Sequence, residues 1–332
     1  MRNKLLIAFF SLIVCQVQAQ SGNEVFSFLR SPLSARANAL GGHTVSLVER
    51  DPSLAFVNPA LLGGEMDGML NFGYMNYISD VNMGSAIYTK ALHERSAWGV
   101  GASFISYGNF KEALPSSEII GTFSAKDISL NGFFSYDLSD KWRGGVSLKM
   151  LYSSFANYTS YGVGVDVGLS YYSEDKTFSY GVTINNVGTQ IKAYQDTRQK
   201  MPWDIQMGIS KKMEHAPFRF SVTAWNLNRW KLNYVDETST SDSGDSFGKT
   251  LAKHLIFGVD FIPSDNFWLG MGFNPKVSSD MKLSGGNSFS GFSGGAGISI
   301  KSFDVGFSIA KYHPSAVSMM LSVSTTLSDL LH

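Results

Sequence analysis

The sequence predicts an all-β fold: a fourteen-stranded antiparallel transmembrane barrel of the outer-membrane type, preceded by a short N-terminal helical hatch. Three observations carry this. Segments of about ten residues alternate bulky apolar side chains with small or polar ones. Tiny charged turns recur between them, each followed within about four residues by an aromatic ring, and rings gathered at one end of the strands mark a membrane interface. Charged residues make up only 16% of the 332-residue chain, against roughly 25% in soluble globular proteins. Yet no run of ~18 apolar residues follows residue 20, which excludes a helical membrane protein.

Residues 1–19 read as a targeting segment. Arg2 and Lys4 form the positive end, Leu5 to Val14 the apolar core, and Val17-Gln18-Ala19 the small-residue cleavage site. Cleavage is expected after Ala19. The single cysteine, Cys15, would leave with it, so no disulfide or thiolate zinc site is expected.

Residues 20–67 differ from the rest and read as the hatch. Ser34-Ala35-Arg36-Ala37-Asn38-Ala39-Leu40-Gly41-Gly42 has a serine cap, helix formers and a Gly-Gly stop. Asp51-Pro52-Ser53 and Asn58-Pro59-Ala60 each place proline at the first position of a capped turn. Pieces this short and apolar need a cavity to sit in.

The barrel is expected over 68–332. Strands are read at 68–78, 82–92, 96–107, 127–138, 142–153, 161–173, 177–187, 203–212, 217–227, 254–263, 266–275, 292–300, 303–312 and 317–327. In the sixth, Tyr161, Val163, Val165, Val167 and Leu169 share one face, while Gly162, Gly164, Asp166, Gly168 and Ser170 share the other. The first face suits lipid and the second a filled or wet lumen. The short turns are His93-Glu94-Arg95, Ser139-Asp140-Lys141, Glu174-Asp175-Lys176, Glu214-His215-Ala216, Ser264-Asp265-Asn266 and Lys301-Ser302. Trp98, Trp142, Phe178, Phe218, Phe267, Trp268 and Phe303 follow them as a girdle expected on the periplasmic side. The long loops 108–126, 188–202, 228–253 and 276–291 then fall at the cell surface. A soluble β-sandwich or propeller also alternates, but it would not place aromatics beside each short turn.

Nothing in the sequence forms a catalytic, cofactor-binding or metal-ligating constellation. None of the six histidines is spaced as a metal pair, and zero net charge gives no field for nucleic acid. Gly244-Asp245-Ser246-Phe247-Gly248-Lys249-Thr250 is one residue short of a phosphate-binding loop and reads as an ordinary polar loop. The same surface loop is read as containing Trp225, Trp230 and Tyr234, followed by Asp236 and Glu237, which serve either as interface anchors or as partner contacts.

Residues Val25 to Gly42 and Asn58-Pro59-Ala60-Leu61-Leu62 resemble the PorQ-like outer-membrane proteins of the type IX secretion system of Bacteroidetes. They are similar, more distantly, to PorV and the FadL-type fatty-acid transporters. The chain departs from many outer-membrane barrels in lacking a terminal aromatic, ending Leu330-Leu331-His332. The resemblance implies a non-enzymatic role without cofactors. It implies a barrel in outer-membrane lipid that anchors a PorZ-like partner, alongside PorU and PorV, in the complex attaching secreted cargo to lipopolysaccharide. The alternative is a FadL-like transporter of hydrophobic small molecules. An aqueous porin is a third option, obstructed by the hatch.

Overall fold

The computed structural model describes residues 24–113, 119–230, 232, 246–281 and 289–330. Fourteen antiparallel strands form one closed barrel in simple up-and-down order: β1 (Met69–Ile78), β2 (Val81–His93), β3 (Ser96–Ala113), β4 (Ile119–Asp137), β5 (Trp142–Phe155), β6 (Tyr158–Tyr172), β7 (Phe178–Lys192), β8 (Asp204–Lys212), β9 (Phe218–Ala224), β10 (Leu255–Ser264), β11 (Phe267–Phe273), β12 (Phe292–Ile300), β13 (Phe303–His313) and β14 (Ala316–Thr326). β14 closes on β1 from Met69↔Thr326 to Asn76↔Met319. Closure leaves no open sheet edge along the wall, as hydrocarbon requires.

The period-two pattern sorts the two faces. On β5, Val146, Leu148 and Met150 point outward and stay exposed, while Arg143, Ser147 and Lys149 point inward and are buried. The same outward apolar belt continues through Phe104, Leu130, Phe220, Leu269 and Phe307. Among the described residues no helix is long and apolar enough to cross a membrane.

The two ends differ, though not in the simple alternation the sequence suggests. Met69, Thr326 and the six charged turns share one end, here the terminal end. At the opposite, loop end, three hairpins are tight, turning at Ser79-Asp80, Ala156-Asn157 and Pro314-Ser315. The expected loop 108–126 is instead mostly strand, because β3 and β4 keep pairing beyond Gly108. Helices α1 (Ala35–Ala39), α2 (Phe247–Lys253), α3 (Pro275–Asp280) and α4 (Leu327–Leu330) complete the fold. α2 and α3 lie in the β9–β10 and β11–β12 connections.

The segment from Glu24 to Gly68 fills the barrel. Val25 N–H donates to the Lys200 carbonyl at 3.0 Å, in the β7–β8 connection at the loop end. At the other extremity Thr89 Oγ1 donates to the Met66 carbonyl at 2.6 Å, at the terminal end. The segment therefore traverses the whole lumen. Its local turns follow from caps. Ser34 Oγ accepts from Ala37 N–H at 3.3 Å to start α1. Asp51 accepts from Ser53 N–H and Asn58 from Ala60 N–H to start the 3-10 turns Pro52–Phe56 and Pro59–Leu61.

Candidate functional site

The lumen is layered. Near the terminal end, four charged side chains close a ring between hatch and wall. Arg36 of α1 donates to Glu49 (Nε to Oε2, 2.8 Å) and to Asp260 of β10 (2.6 Å). Arg219 of β9 donates to Glu49 Oε1 at 2.6 Å and to Asp260 Oδ2 at 2.8 Å. The Arg36 guanidinium also lies 4.1 Å from the Trp268 ring centroid, a cation–π contact. Burial alone would raise the Glu49 carboxyl, but Arg219 and Arg36 outweigh it and hold it well below the usual range. Burial likewise opposes the charged Arg36, and Glu49 and Asp260 push its value up regardless. Two cations and two anions leave the ring neutral, the condition under which buried charges persist. A second anchor sits on another part of the wall at the same end, where Arg143 of β5 bridges Asp137 at 2.6 Å and Glu65 of the hatch at 3.3 Å.

Close to the Arg143 anchor, on β5 and β6, hatch atoms lie directly against wall glycines. A Cβ on Gly145 would come 2.3 Å from the Pro59 carbonyl carbon, and one on Gly168 would come 1.9 Å from Asn58 Oδ1. Only glycine lets the Asn58-Pro59-Ala60 turn approach this closely. Asn38 is fixed from both sides, donating to Ser308 Oγ at 2.9 Å and accepting from the Tyr312 hydroxyl. The wall has one mid-height irregularity here. Register shifts between Val165 and Val167, where Asn186 takes a φ of 61°. Asp166 fills the gap, accepting from Asn186 N–H at 2.7 Å and pairing with Lys149 Nζ at 2.8 Å.

Towards the loop end the lumen turns apolar. Met75, Met83, Ile105, Leu151 and Met320 point inward from the wall and Met201 from the β7–β8 connection. The hatch residues Val25, Phe26 and Phe28 pack among them. Below this layer, between the Phe28–Leu33 stretch and Lys149, Asn185 and Gln206 of the wall, lies a cavity of about 50 Å³. His43 borders that cavity and stacks on Trp225, with ring centroids 4.9 Å apart. Burial without a counter-charge lowers the His43 pKa to about 4.

The sequence-singled residues distribute as follows. Ser34, Ala35, Arg36, Leu40, Gly41, Gly42, Asn58, Pro59 and Ala60 all lie buried in the lumen. Gly41 has a φ of 98° and sits against Ile256. Trp98, Trp142, Phe178, Phe218, Phe267 and Phe303 ring the terminal end on the outward face, with Trp142 near Tyr171 at 5.0 Å and Phe218 near Phe261 at 5.3 Å. Trp268 is a correction: Phe267, Leu269 and Met271 face outward, so Trp268 faces inward, onto Arg36. Trp225, read as a residue of the surface loop, is another. It is 7% exposed and donates from Nε1 to the Lys253 carbonyl at 3.2 Å. Trp230 is half exposed, between His254 and Phe247. Tyr234, Asp236 and Glu237 lie outside the described residues, as do Cys15 and the targeting segment. Among the described residues no group of three His, Cys, Asp or Glu side chains could hold a metal. Sequence reasoning missed Glu49, Arg219 and Asp260, because no local spacing links them.

No known family and no curated protein matches the chain. Solved structures do. The Pseudomonas putida toluene transporter TodX matches 93% of this chain and 100% of its own, at 12% identity and a TM-score of 0.55. The Ralstonia pickettii toluene transporter TbuX matches 91% of this chain and 100% of its own, at 13% identity and a TM-score of 0.56. A Pseudomonas aeruginosa FadL homologue matches 92% of this chain and 100% of its own, at 10% identity and a TM-score of 0.51. At such identities the likeness is one of fold alone. None of these three is a type IX secretion protein, and the comparisons give no support to the PorQ-like resemblance.

Proposed function

We propose that this FadL-like barrel is a non-enzymatic outer-membrane protein that takes up a hydrophobic small molecule at its loop end, the loop end facing the cell surface. The observation that carries the reading is the inward-facing methionine layer of Met75, Met83, Met201 and Met320. An aqueous porin lines its lumen with polar groups, whereas methionine forms a soft, adaptable surface for apolar ligands of varied shape. In the described conformation Phe26 and Phe28 of the hatch occupy that surface, so entry requires the hatch to shift. The solved neighbours that transport toluene share the architecture, and the reading takes its ligand class from them by analogy.

The test is ligand binding to the purified barrel in detergent, with toluene, a linear alkane and a fatty acid as probes. Saturable binding that is weakened at least about tenfold by Met83→Arg supports uptake. No saturable binding by any of the three overturns it.

A second reading, favoured by the charge ring that seats the hatch, is a sealed anchor for a surface partner. On that reading the partners are PorZ-like, PorU-like and PorV-like proteins of the type IX attachment complex. A neutral, fully paired ring suits a plug that stays in place. Affinity capture of the tagged protein from solubilised outer membrane separates the two. Matched recovery of those partners favours the anchor, and recovery of the barrel alone removes it.

A further inference from the structure

The cavity below the methionine layer has the opposite chemistry to that layer. Every wall residue that lines it, from Ser103 of β3 to Gln206 of β8, is polar. On β8, Asp204 and Gln206 stand two apart and so face the lumen together. Gln206 Nε2 donates to Asp204 Oδ2 at 2.8 Å. The other two oxygens, Asp204 Oδ1 and Gln206 Oε1, have no hydrogen-bond partner, although each residue is only 4% exposed. Bare acceptors at such depth are costly and uncommon. Asn185, opposite Asp204 across the β7–β8 ladder, is satisfied: it donates to the Val57 carbonyl at 3.2 Å and accepts from Thr183 at 2.6 Å.

The basic groups of the cavity are already committed. Lys149 Nζ pairs with Asp166 at 2.8 Å and donates to Asn186 Oδ1 at 2.6 Å. Arg30 meets Glu24 through both terminal nitrogens, at 2.9 and 3.1 Å, and its Nε is the one donor lining the cavity that is buried without a partner. His43 is kept neutral by burial. No lysine or arginine among the described residues forms an ion pair with Asp204.

Phe28, Leu29 and Leu33 line the cavity and also pack on the methionine layer, so the 3-10 turn Ser27–Arg30 and the residues after it form the partition between the two. Phe26 enters that turn at a φ of 56°, a left-handed conformation that a bulky residue adopts only under constraint. A cavity of about 50 Å³ holds a few waters or one small head group, not a whole apolar ligand. We propose that it is the head-group subsite of the ligand whose apolar part lies on the methionines, and that this head is a primary ammonium. An ammonium donates to both bare oxygens at once and brings the positive charge that Asp204 lacks. A hydroxyl has one proton for two acceptors, and a carboxylate has none. The inference rests on the uptake reading and narrows its ligand to a hydrophobic amine.

The test is binding to the purified barrel in a neutral detergent, with octane, octylammonium, octanoate and octyltrimethylammonium as probes. Octylammonium should bind at least about tenfold more tightly than octane. Asp204→Asn, its barrel confirmed by heat-modifiable gel migration, should cancel that ratio. Octyltrimethylammonium keeps the charge without an N–H, so on the unaltered protein it should bind no better than octane. Octane bound as tightly as octylammonium overturns the proposal and leaves uptake standing, since water would then satisfy the two oxygens. Octanoate bound most tightly moves the head to Arg30 and overturns it too. So does an equal affinity for the two cations, or a ratio that survives Asp204→Asn. No binding by any probe, octane included, overturns the uptake reading and this inference with it.

Discussion

Asp260 is one carboxylate serving two guanidinium groups, and its removal is the sharpest single-residue test of how the hatch is held. Asp260→Ala leaves Arg36 and Arg219 buried with Glu49 alone. Breaking a buried pair by deleting one partner costs about 3–5 kcal/mol. The expected outcome is a lower thermal unfolding temperature together with current fluctuations in planar bilayers that the native barrel lacks. An unchanged melt and a silent bilayer would show that the glycine-seated turns hold the hatch unaided. His43 supplies a pH dependence. Its folded pKa of about 4 lies below the ordinary 6.5, so the unfolded or unseated imidazole binds the proton more tightly. Its contribution is complete above about pH 6.5 and declines as the pH falls towards 4. Glu49, depressed by its arginines, acts with the same sign at more acid pH. Fluorescence of Trp225, stacked on His43, should report the loosening. His43→Phe keeps the stack, and it should flatten the response between pH 6.5 and 4.

At the scale of elements, the hatch turns and the wall strands fit through missing side chains. Gly168→Val should displace the Asn58 turn, costing about 1–3 kcal/mol as overpacking does and exposing the hatch to protease. Gly132→Ala, where a Cβ meets nothing within 4 Å, should change stability by no more than about 0.5 kcal/mol. Equal effects from both would dissociate the glycines from hatch seating. The strands were readable in the sequence because a two-sided wall writes a period of two, as along Val146, Leu148 and Met150. The continued pairing of β3 with β4 beyond Gly108 was not, because Gly108, Lys111 and Glu112 break the pattern. Trp268 could have been placed correctly by parity: it lies between Phe267 and Leu269, and neighbours on a strand face opposite ways. The charge ring had no such signal. Arg219 and Glu49 are 170 residues apart, and only barrel closure brings them together.

For the whole molecule, the decisive manipulation is removal of 24–67. If the hatch is what blocks the lumen, the truncated barrel should conduct ions in stable steps and sensitise cells to bulky hydrophilic antibiotics. A barrel that still inserts but remains closed would move the barrier to the loops. The path of the hatch, from Lys200 at one mouth to Thr89 at the other, also constrains how the molecule can be made. α1 leans on β11 to β14 while the Asn58 turn leans on β4 to β6, so the plug touches both halves of the wall that meet at the β1–β14 seam. Once that seam is sealed, a segment so interlocked has no route in. The first-made part of the chain must therefore serve as a mandrel around which the last-made part is wrapped. Residues 24–67 supplied later, as a separate peptide, should fail to restore the closed state of the truncated barrel.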